Sequence, residues 1–240
     1  MSDLVDWEPD SDYEVIKTND PDGTKWRKMI MGMVDPKITI IIPTYNRAEL
    51  LKRALGSVPL SKEYQVIVID DGSTDGSWGA IVDWYDKNYN KFSNYSEIHH
   101  TKNRGVARAM NLGFNRAKGE YIVSLSDDDY YIRDFSEFMP YLDGKNDLVY
   151  FDLETNDGSV FHVDEKSKNE YVGAVKFIRR EYLGNIRIPD LKYREDVPFS
   201  QVLYAKNPKE VFTGIVLKHY NFPHDGSLTW QACNGFKEEK

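Results

Sequence analysis

The sequence predicts an α/β fold, with a mainly parallel, Rossmann-like mixed sheet flanked by helices and a smaller β/α region after it. Three observations lead there. Apolar runs such as "ITIIIPTY" and "YQVIVIDDGS" are continuous and β-branched, as in strands buried on both faces. Amphipathic segments of helical length separate them, giving a β-α-β-α-β-α-β alternation. The runs end in "PTYN", "DDGS" and "SDDD", and an open parallel sheet carries such ends to one rim.

The elements follow in order. "ITIIIPTY" is the first strand. In "NRAELLKRALGSV", Leu50, Leu51, Ala54, Leu55 and Val58 share one helical face, and Asn46 with Glu49 reads as a capping box. "YQVIVIDDGS" is the second strand, and "TDGSWGAIVDWYDKNY" carries a helix through Trp78, Ile81, Val82 and Tyr85. "SEIHHTK" is a short third strand, "GVARAMNLGFNRAKG" a helix that stops at Gly119, and "YIVSLS" a fourth strand. The rhythm then breaks. "LVYFDLETNDGSVFHV" reads as a hairpin turning at Asp157-Gly158. "AVKFIRREYLG" reads as a short helix or turn, "EDVPFSQVLYAK" as a helix with Pro198 in its first turn, and "EVFTGIVLKHYNF" as a late strand. Residues 1–36 are acidic and turn-rich, an extension with little core of its own, although "MIMGM" is apolar enough to pack on the domain. One domain is expected over 37–230, divided near residue 130, with a polar tail over 231–240.

Composition bounds the function. The chain has 240 residues, 40% hydrophobic and 13% aromatic, enough for a substantial core. A net charge of -8 argues against broad nucleic-acid binding, which runs on cationic contacts to phosphate, though it leaves room for a local basic groove. Cys233 is the only cysteine, so neither an intrachain disulfide nor a cysteine metal cluster can form. The N-terminus lacks a signal-peptide apolar core, and no run nears the ~20 apolar residues of a membrane span. A cytoplasmic location is expected, with peripheral attachment at the membrane face as a variant of it.

The chemistry gathers at the strand ends. Adjacent carboxylates repel, so Asp127, Asp128 and Asp129 need positive charge; a hard divalent cation carrying phosphates suits them, and a solvated acidic turn is the other reading. "DDGSTDGS" fails as a calcium loop, because the position that needs a bidentate glutamate is Val82. Neither G-x-G-x-x-G after the first strand nor G-x-x-x-x-G-K-[ST] occurs, which removes the dehydrogenase and P-loop readings.

"ITIIIPTYNRAELLKRALGSV", "VIVIDDGSTDGS", "NRGVARAMNLGFNRAKGEYIVSLSDDD" and "REDVPF" resemble, in order, the motifs of family 2 glycosyltransferases of the GT-A fold. The resemblance covers roughly residues 37–200, with a fainter tail to about 229. It implies an inverting transfer from a nucleotide-sugar, usually a UDP-sugar, to a hydroxyl acceptor such as a saccharide or glycoconjugate, with Mn²⁺ or Mg²⁺. Pro43, Thr44, Tyr45, Asp70 and Asp71 would hold the nucleotide, with Asp71 at the uracil edge. Asp127 would face the ribose, and Asp128 and Asp129 would bind metal, Asp128 foremost. Asp196 would be the general base, with Glu195 beside it.

The departures are specific. Met110 stands where the family has arginine, leaving Arg104 or Arg108 to supply charge near the diphosphate or to be plain surface residues. Phe222 takes another arginine position in "YNFPHDGSLT", where His224 would bind metal or diphosphate, or serve only the loop. His99, His100, His162 and His219 read as structural. Of the five tryptophans and 16 tyrosines, one or two would line the acceptor cleft. Two rivals remain: a nucleotidyltransferase, which would normally show a glycine-rich loop after the first strand, and a catalytically inactive nucleotide-sugar-binding protein.

Overall fold

The computed structural model describes residues 14–18, 35–93, 96–169, 175–191 and 195–222. One sheet runs through them. Its strands are β1 (Glu14–Thr18), β2 (Ile38–Thr44), β3 (Tyr64–Asp70), β4 (Glu97–His100), β5 (Tyr121–Ser124), β6 (Tyr130–Tyr131), β7 (Leu148–Thr155), β8 (Val160–Phe161), β9 (Lys176–Arg179) and β10 (Glu210–Tyr220). Their spatial order is β1-β4-β3-β2-β5-β9-β7-β10-β6, with β8 paired to β7. The stretch β4-β3-β2-β5 is parallel; β9 joins both β5 and β7 antiparallel.

The helices are α1 (Ala48–Gly56), α2 (Ser77–Asn88), α3 (Val106–Arg116), α4 (Arg180–Leu183) and α5 (Asp196–Ala205). Right-handed crossovers place α1 and α2 on one face, where they pack together. The connection from β4 back to β5 runs the other way, so α3 covers the opposite face of β2 and β3. The order in which the chain adds strands therefore reverses between β2 and β5, and the rim there is the topological switch point.

The core is the expected one. Every residue of β3 is buried, and Ile38, Ile40, Ile41 and Ile42 of β2 are fully enclosed. Each such side chain contributes about 1.5–3 kcal/mol of burial. One buried polar cluster ties three elements together. Thr39 Oγ1 donates to Gln65 Oε1 at 2.7 Å and accepts the Gly119 N–H at 2.8 Å, while Gln65 Oε1 also accepts the Lys118 N–H. This cluster locks the α3–β5 turn against β2 and β3.

Three local readings change. "AVKFIRREYLG" contains an interior strand, β9, before the single turn of α4; pairing to β5 and β7 on both sides decides the conformation of four residues whose local preference is weak. Residues 14–18 of the extension lie as an antiparallel strand on the edge of β4. The capping box at Asn46 does not form. Asn46 adopts φ 51°, and its Oδ1 accepts the Thr74 N–H. The first N–H groups of α1 are met instead by the next loop: Arg47 donates to Ser77 Oγ at 3.2 Å and Ala48 to Asp75 Oδ2 at 3.1 Å. Elsewhere the outline holds, including the hairpin turn, where Gly158 takes φ 80°.

Gly113 lets α3 approach β2: a Cβ there would stand 2.5 Å from Ile41 Cγ2. Gly113→Ala should lower stability despite the helix propensity gain of about 1 kcal/mol, because overpacking costs about 1–3 kcal/mol. In urea unfolding, adding Ile41→Ala should cost less than the sum of the two single changes.

Candidate active site

The triple aspartate occupies a tight turn, closed by the Asp129 N–H on Ser126 O; Asp127 and Asp128 converge on Arg47 while Asp129 turns away. Asp127 points across the switch point: its Oδ2 accepts Thr44 Oγ1 at 2.7 Å and the Tyr45 N–H at 3.4 Å. Its Oδ1 lies 3.1 Å from Arg47 Nη1, and the same nitrogen stands 2.6 Å from Asp128 Oδ2. Arg53 donates to Asp128 O at 2.7 Å and lies over the Tyr130 ring at 4.7 Å. Asp129 turns the other way: Oδ1 accepts the Asn221 N–H at 3.0 Å and Oδ2 sits 3.1 Å from Lys218 Nζ, both side chains being buried.

The electrostatics follow from burial and pairing. Burial pushes the Asp127 carboxyl up, and Arg47 and the Thr44 hydroxyl only partly offset this. Burial pulls the Arg47 guanidinium down, but the facing Asp127 and Asp128 outweigh it and leave a net rise.

The "DDGS" rim is a structural clasp. Asp70 is fully buried, with Oδ1 accepting the Ser73 N–H at 2.9 Å and Oδ2 3.1 Å from His100 Nδ1. Asp71, just after β3, fastens the loop that leads into α3. It accepts the Gly105 N–H at 2.7 Å, the Arg104 N–H at 2.9 Å and Thr101 Oγ1 at 3.1 Å. Burial raises its carboxyl, and these donors oppose that rise. The clasp needs close approach at Gly72 (φ 81°), where a Cβ would meet Asn103 N at 2.7 Å. Asp71 thus spends both oxygens on the loop before α3, whereas Tyr45 is exposed at the rim.

A cavity of about 190 Å³ opens beside this rim, between α3 and the β5–β9 strands; among its lining residues are Pro43, Met110, Ser126, Lys176, Glu195 and Asp196. The start of α5 closes it. Asn111 of α3 holds the segment leading there through paired bonds to Ile188, 2.8 Å to its O and 2.9 Å from its N. Phe114 and Phe199 stack across α3 and α5 at 5.6 Å. Burial raises the Glu195 carboxyl. Lys176 is itself buried, which pulls its amine down to about 8 against the opposing pull of Asp196 and Glu210. Beneath the cavity, Glu210 accepts Tyr150 Oη at 2.7 Å and Lys168 Nζ at 2.6 Å.

The structure therefore brings Pro43, Thr44, Tyr45, Asp127 and Asp128 to one rim, with Glu195 and Asp196 across the cavity. Arg104 meets Asp71 through its backbone, and Arg108 pairs with Asp190 at 3.0 Å. His224 lies outside the described residues, as do Trp7, Trp26 and Trp230. His100 packs tilted against Trp78, His162 binds Asp152, His219 stacks on Tyr130, and His99 is buried 3.4 Å from Glu97. Sequence reasoning missed Arg47, Arg53, Lys176 and Lys218. Two signals were present: a basic residue straight after "PTYN", and lysines inside otherwise apolar strands.

Among the described residues, no three acidic, histidine or cysteine side chains gather around one metal position. The chemistry of the donor set nonetheless fits a hard cation. Asp127 and Asp128 already share one cationic group, the Arg47 guanidinium, and a Mg²⁺-type site commonly uses one or two carboxylates plus ligand phosphates. A larger recess, about 640 Å³, lies at the opposite strand ends, where Lys37 pairs with Glu120 and Arg179 with Glu181. No described helix is long and apolar enough to cross a membrane.

Comparison with known proteins places this geometry. Residues 39–199 match the family described as Glycosyl transferase family 2. An uncharacterized glycosyltransferase of Haemophilus influenzae is 30% identical over 201 residues, 77% of this chain and 76% of that protein. Two Rickettsia relatives are matched over only about a fifth of their own length. Residues 1–349 of S. aureus TarS, solved with UDP-GlcNAc, superpose with a TM-score of 0.66 at 22% identity, over 80% of this chain and 60% of that one. The mannosyltransferase PcManGT of Pyrobaculum calidifontis, solved with GDP-Man and Mn²⁺, gives 0.63 at 19% identity, over 82% and 60%. The fold is the GT-A-like mixed, mainly parallel sheet that the sequence predicts.

Lys176 supplies a test of the cavity. A lysine in an unfolded chain titrates near 10.4, above the value of about 8 here. Between those values the unfolded chain binds more protons, so stability should rise with pH across that window, by about 3 kcal/mol at most. Urea unfolding from pH 7 to 10 should show this rise in the wild type and its loss in Lys176→Met. An equal pH dependence in both would remove Lys176 from the buried, charged set.

Proposed function

The chain belongs to the family 2 glycosyltransferases, and from that premise we propose that it transfers a sugar from a UDP-sugar to a hydroxyl acceptor, with inversion at the anomeric carbon. One observation carries the reading. Asp127 and Asp128 stand at the switch point of the sheet, and Ser126 beside them lines the same cavity as Glu195 and Asp196. A diphosphate end and a basic end thus face one space. The bound UDP-GlcNAc of TarS favours a uridine donor, and the GDP-Man and Mn²⁺ of PcManGT favour a metal-dependent one.

The roles follow the geometry. Pro43, Thr44 and Tyr45 form the nucleotide edge, with Tyr45 exposed for a ring or ribose face. Asp70 and Asp71 act by shaping this edge, because their carboxylates are engaged with the adjoining loops. Asp128, with Asp127 beside it, would hold Mn²⁺ or Mg²⁺, while Asp129 anchors the turn to β10. When bound, such a metal supplies charge neutralisation for the departing diphosphate. Asp196 takes the proton from the acceptor hydroxyl as its oxygen attacks the anomeric carbon from the face opposite the diphosphate. Glu195, held toward its neutral form by burial, would position the acceptor by hydrogen bonding. The acceptor is read as a saccharide or glycoconjugate.

Isothermal titration with UDP and Mn²⁺ tests the donor half, and transfer assays test the other. Asp128→Ala should lose metal-dependent UDP binding. Asp196→Asn should keep it and lose transfer by roughly 10²–10⁴-fold, the usual worth of a general base. Normal transfer by Asp196→Asn would remove the base assignment.

A further inference from the structure

The paired carboxylates already hold a cation, and it belongs to the chain. Arg47 Nη1 lies 3.1 Å from Asp127 and 2.6 Å from Asp128. The arginine backbone is anchored independently of this side chain. Its N–H donates to Ser77 Oγ at 3.2 Å, its carbonyl accepts the Leu51 N–H at 2.9 Å, and its neighbour Ala48 binds Asp75. The side chain is a quarter exposed, whereas Asp127 and Asp128 are more enclosed. The guanidinium can therefore swing outward without disturbing α1, while the two carboxylates cannot follow it.

Two charges of one sign do not share this position. A divalent ion at Asp127 and Asp128 would meet the guanidinium at close range, where repulsion in a partly buried site is large. A diphosphate arriving with the ion changes the balance, because its oxygens offer the arginine fork new anionic partners. We propose that Arg47 is an exchangeable counter-ion: it neutralises Asp127 and Asp128 in the donor-free protein, yields them only when metal and diphosphate come together, and then pairs with the diphosphate. The proposal rests on the donor-site reading above.

Two consequences are measurable. Metal alone binds weakly, because Arg47 must first leave without a new partner. If the covered state holds about nine-tenths of the molecules, the apparent metal affinity falls about tenfold below its intrinsic value. Metal and UDP also strengthen each other's binding, reciprocally, and Arg47 carries part of that coupling.

The experiment measures free Mn²⁺ by electron paramagnetic resonance against the full chain, with and without UDP, for the wild type, Arg47→Gln and Arg47→Lys. The wild type should bind Mn²⁺ weakly alone and more tightly with UDP. Arg47→Gln should bind Mn²⁺ alone about tenfold more tightly, with a smaller gain from UDP. Arg47→Lys keeps the charge without the fork, and should stay weak for Mn²⁺ alone while gaining less from UDP than the wild type does. Circular dichroism checks the fold of each variant; if Arg47→Gln does not fold, the UDP gain of Arg47→Lys decides. Wild-type affinity for Mn²⁺ alone in folded Arg47→Gln, or a full UDP gain in Arg47→Lys, overturns the counter-ion proposal while leaving the donor site standing. Absence of any UDP-dependent Mn²⁺ binding in the wild type overturns both.

Discussion

Three neighbouring carboxylates at the end of a buried strand set the terms for the rest of the site. Left together they would repel and protonate. The turn at 126–129 points Asp129 away from the other two, and each carboxylate recruits a different part of the chain. Asp127 fastens β5 to the end of β2 through Thr44; Asp128 holds the start of α1 through Arg47; Asp129 holds the end of β10 through Lys218 and Asn221. Residues distant in sequence are drawn to one point by a local need for counter-charge. That explains why β10 ends against the same turn that carries the candidate metal ligands.

The same logic separates shaping residues from those that face the ligand space. A carboxylate that accepts several backbone N–H groups is spent on architecture, as Asp71 is at the start of α3. Asp70 is equally committed, to Ser73 and His100. The aspartates of "DDGS" therefore fix the height and direction of the rim. Tyr45, Asp127 and Asp128 stand beside them at the same rim.

Much of this was legible in the sequence, for identifiable reasons. Strands β2, β3 and β5 announce themselves because burial on both faces demands unbroken apolar runs, and burial is written in residue type. The strand ends were legible because their polar residues interrupt those runs. What escaped depends on partners far along the chain. Arg47 meets Asp127 across 80 residues, and its place after "PTYN" puts it at the rim without naming its partner. Strand β9 is four residues long and owes its conformation to neighbours on both sides. The start of α1 misled because Asn46 carries the right side chain for a cap, yet Ser77 and Asp75 meet the backbone groups. Local pattern shows what a residue is able to do, and tertiary context decides which of those things it does.

The cavity adds a point about charge that no single residue reveals. Glu195 and Lys176 line the same space, and burial moves them in opposite senses, the carboxyl up and the amine down. Both shifts favour the neutral form, so this environment stabilises charge poorly. Asp196 lines the same space. Its carboxylate opposes the fall of the Lys176 amine, while Glu195 is held toward neutrality by burial. The Glu210 network with Tyr150 and Lys168 holds the floor on which Lys176 lies, so the electrostatic setting of Asp196 is built from β7, β9 and β10 as well as from its own helix. The second half of the sheet is then more than a scaffold: through Lys176 and the Glu210 network it sets the charge that lines the cavity at the start of α5.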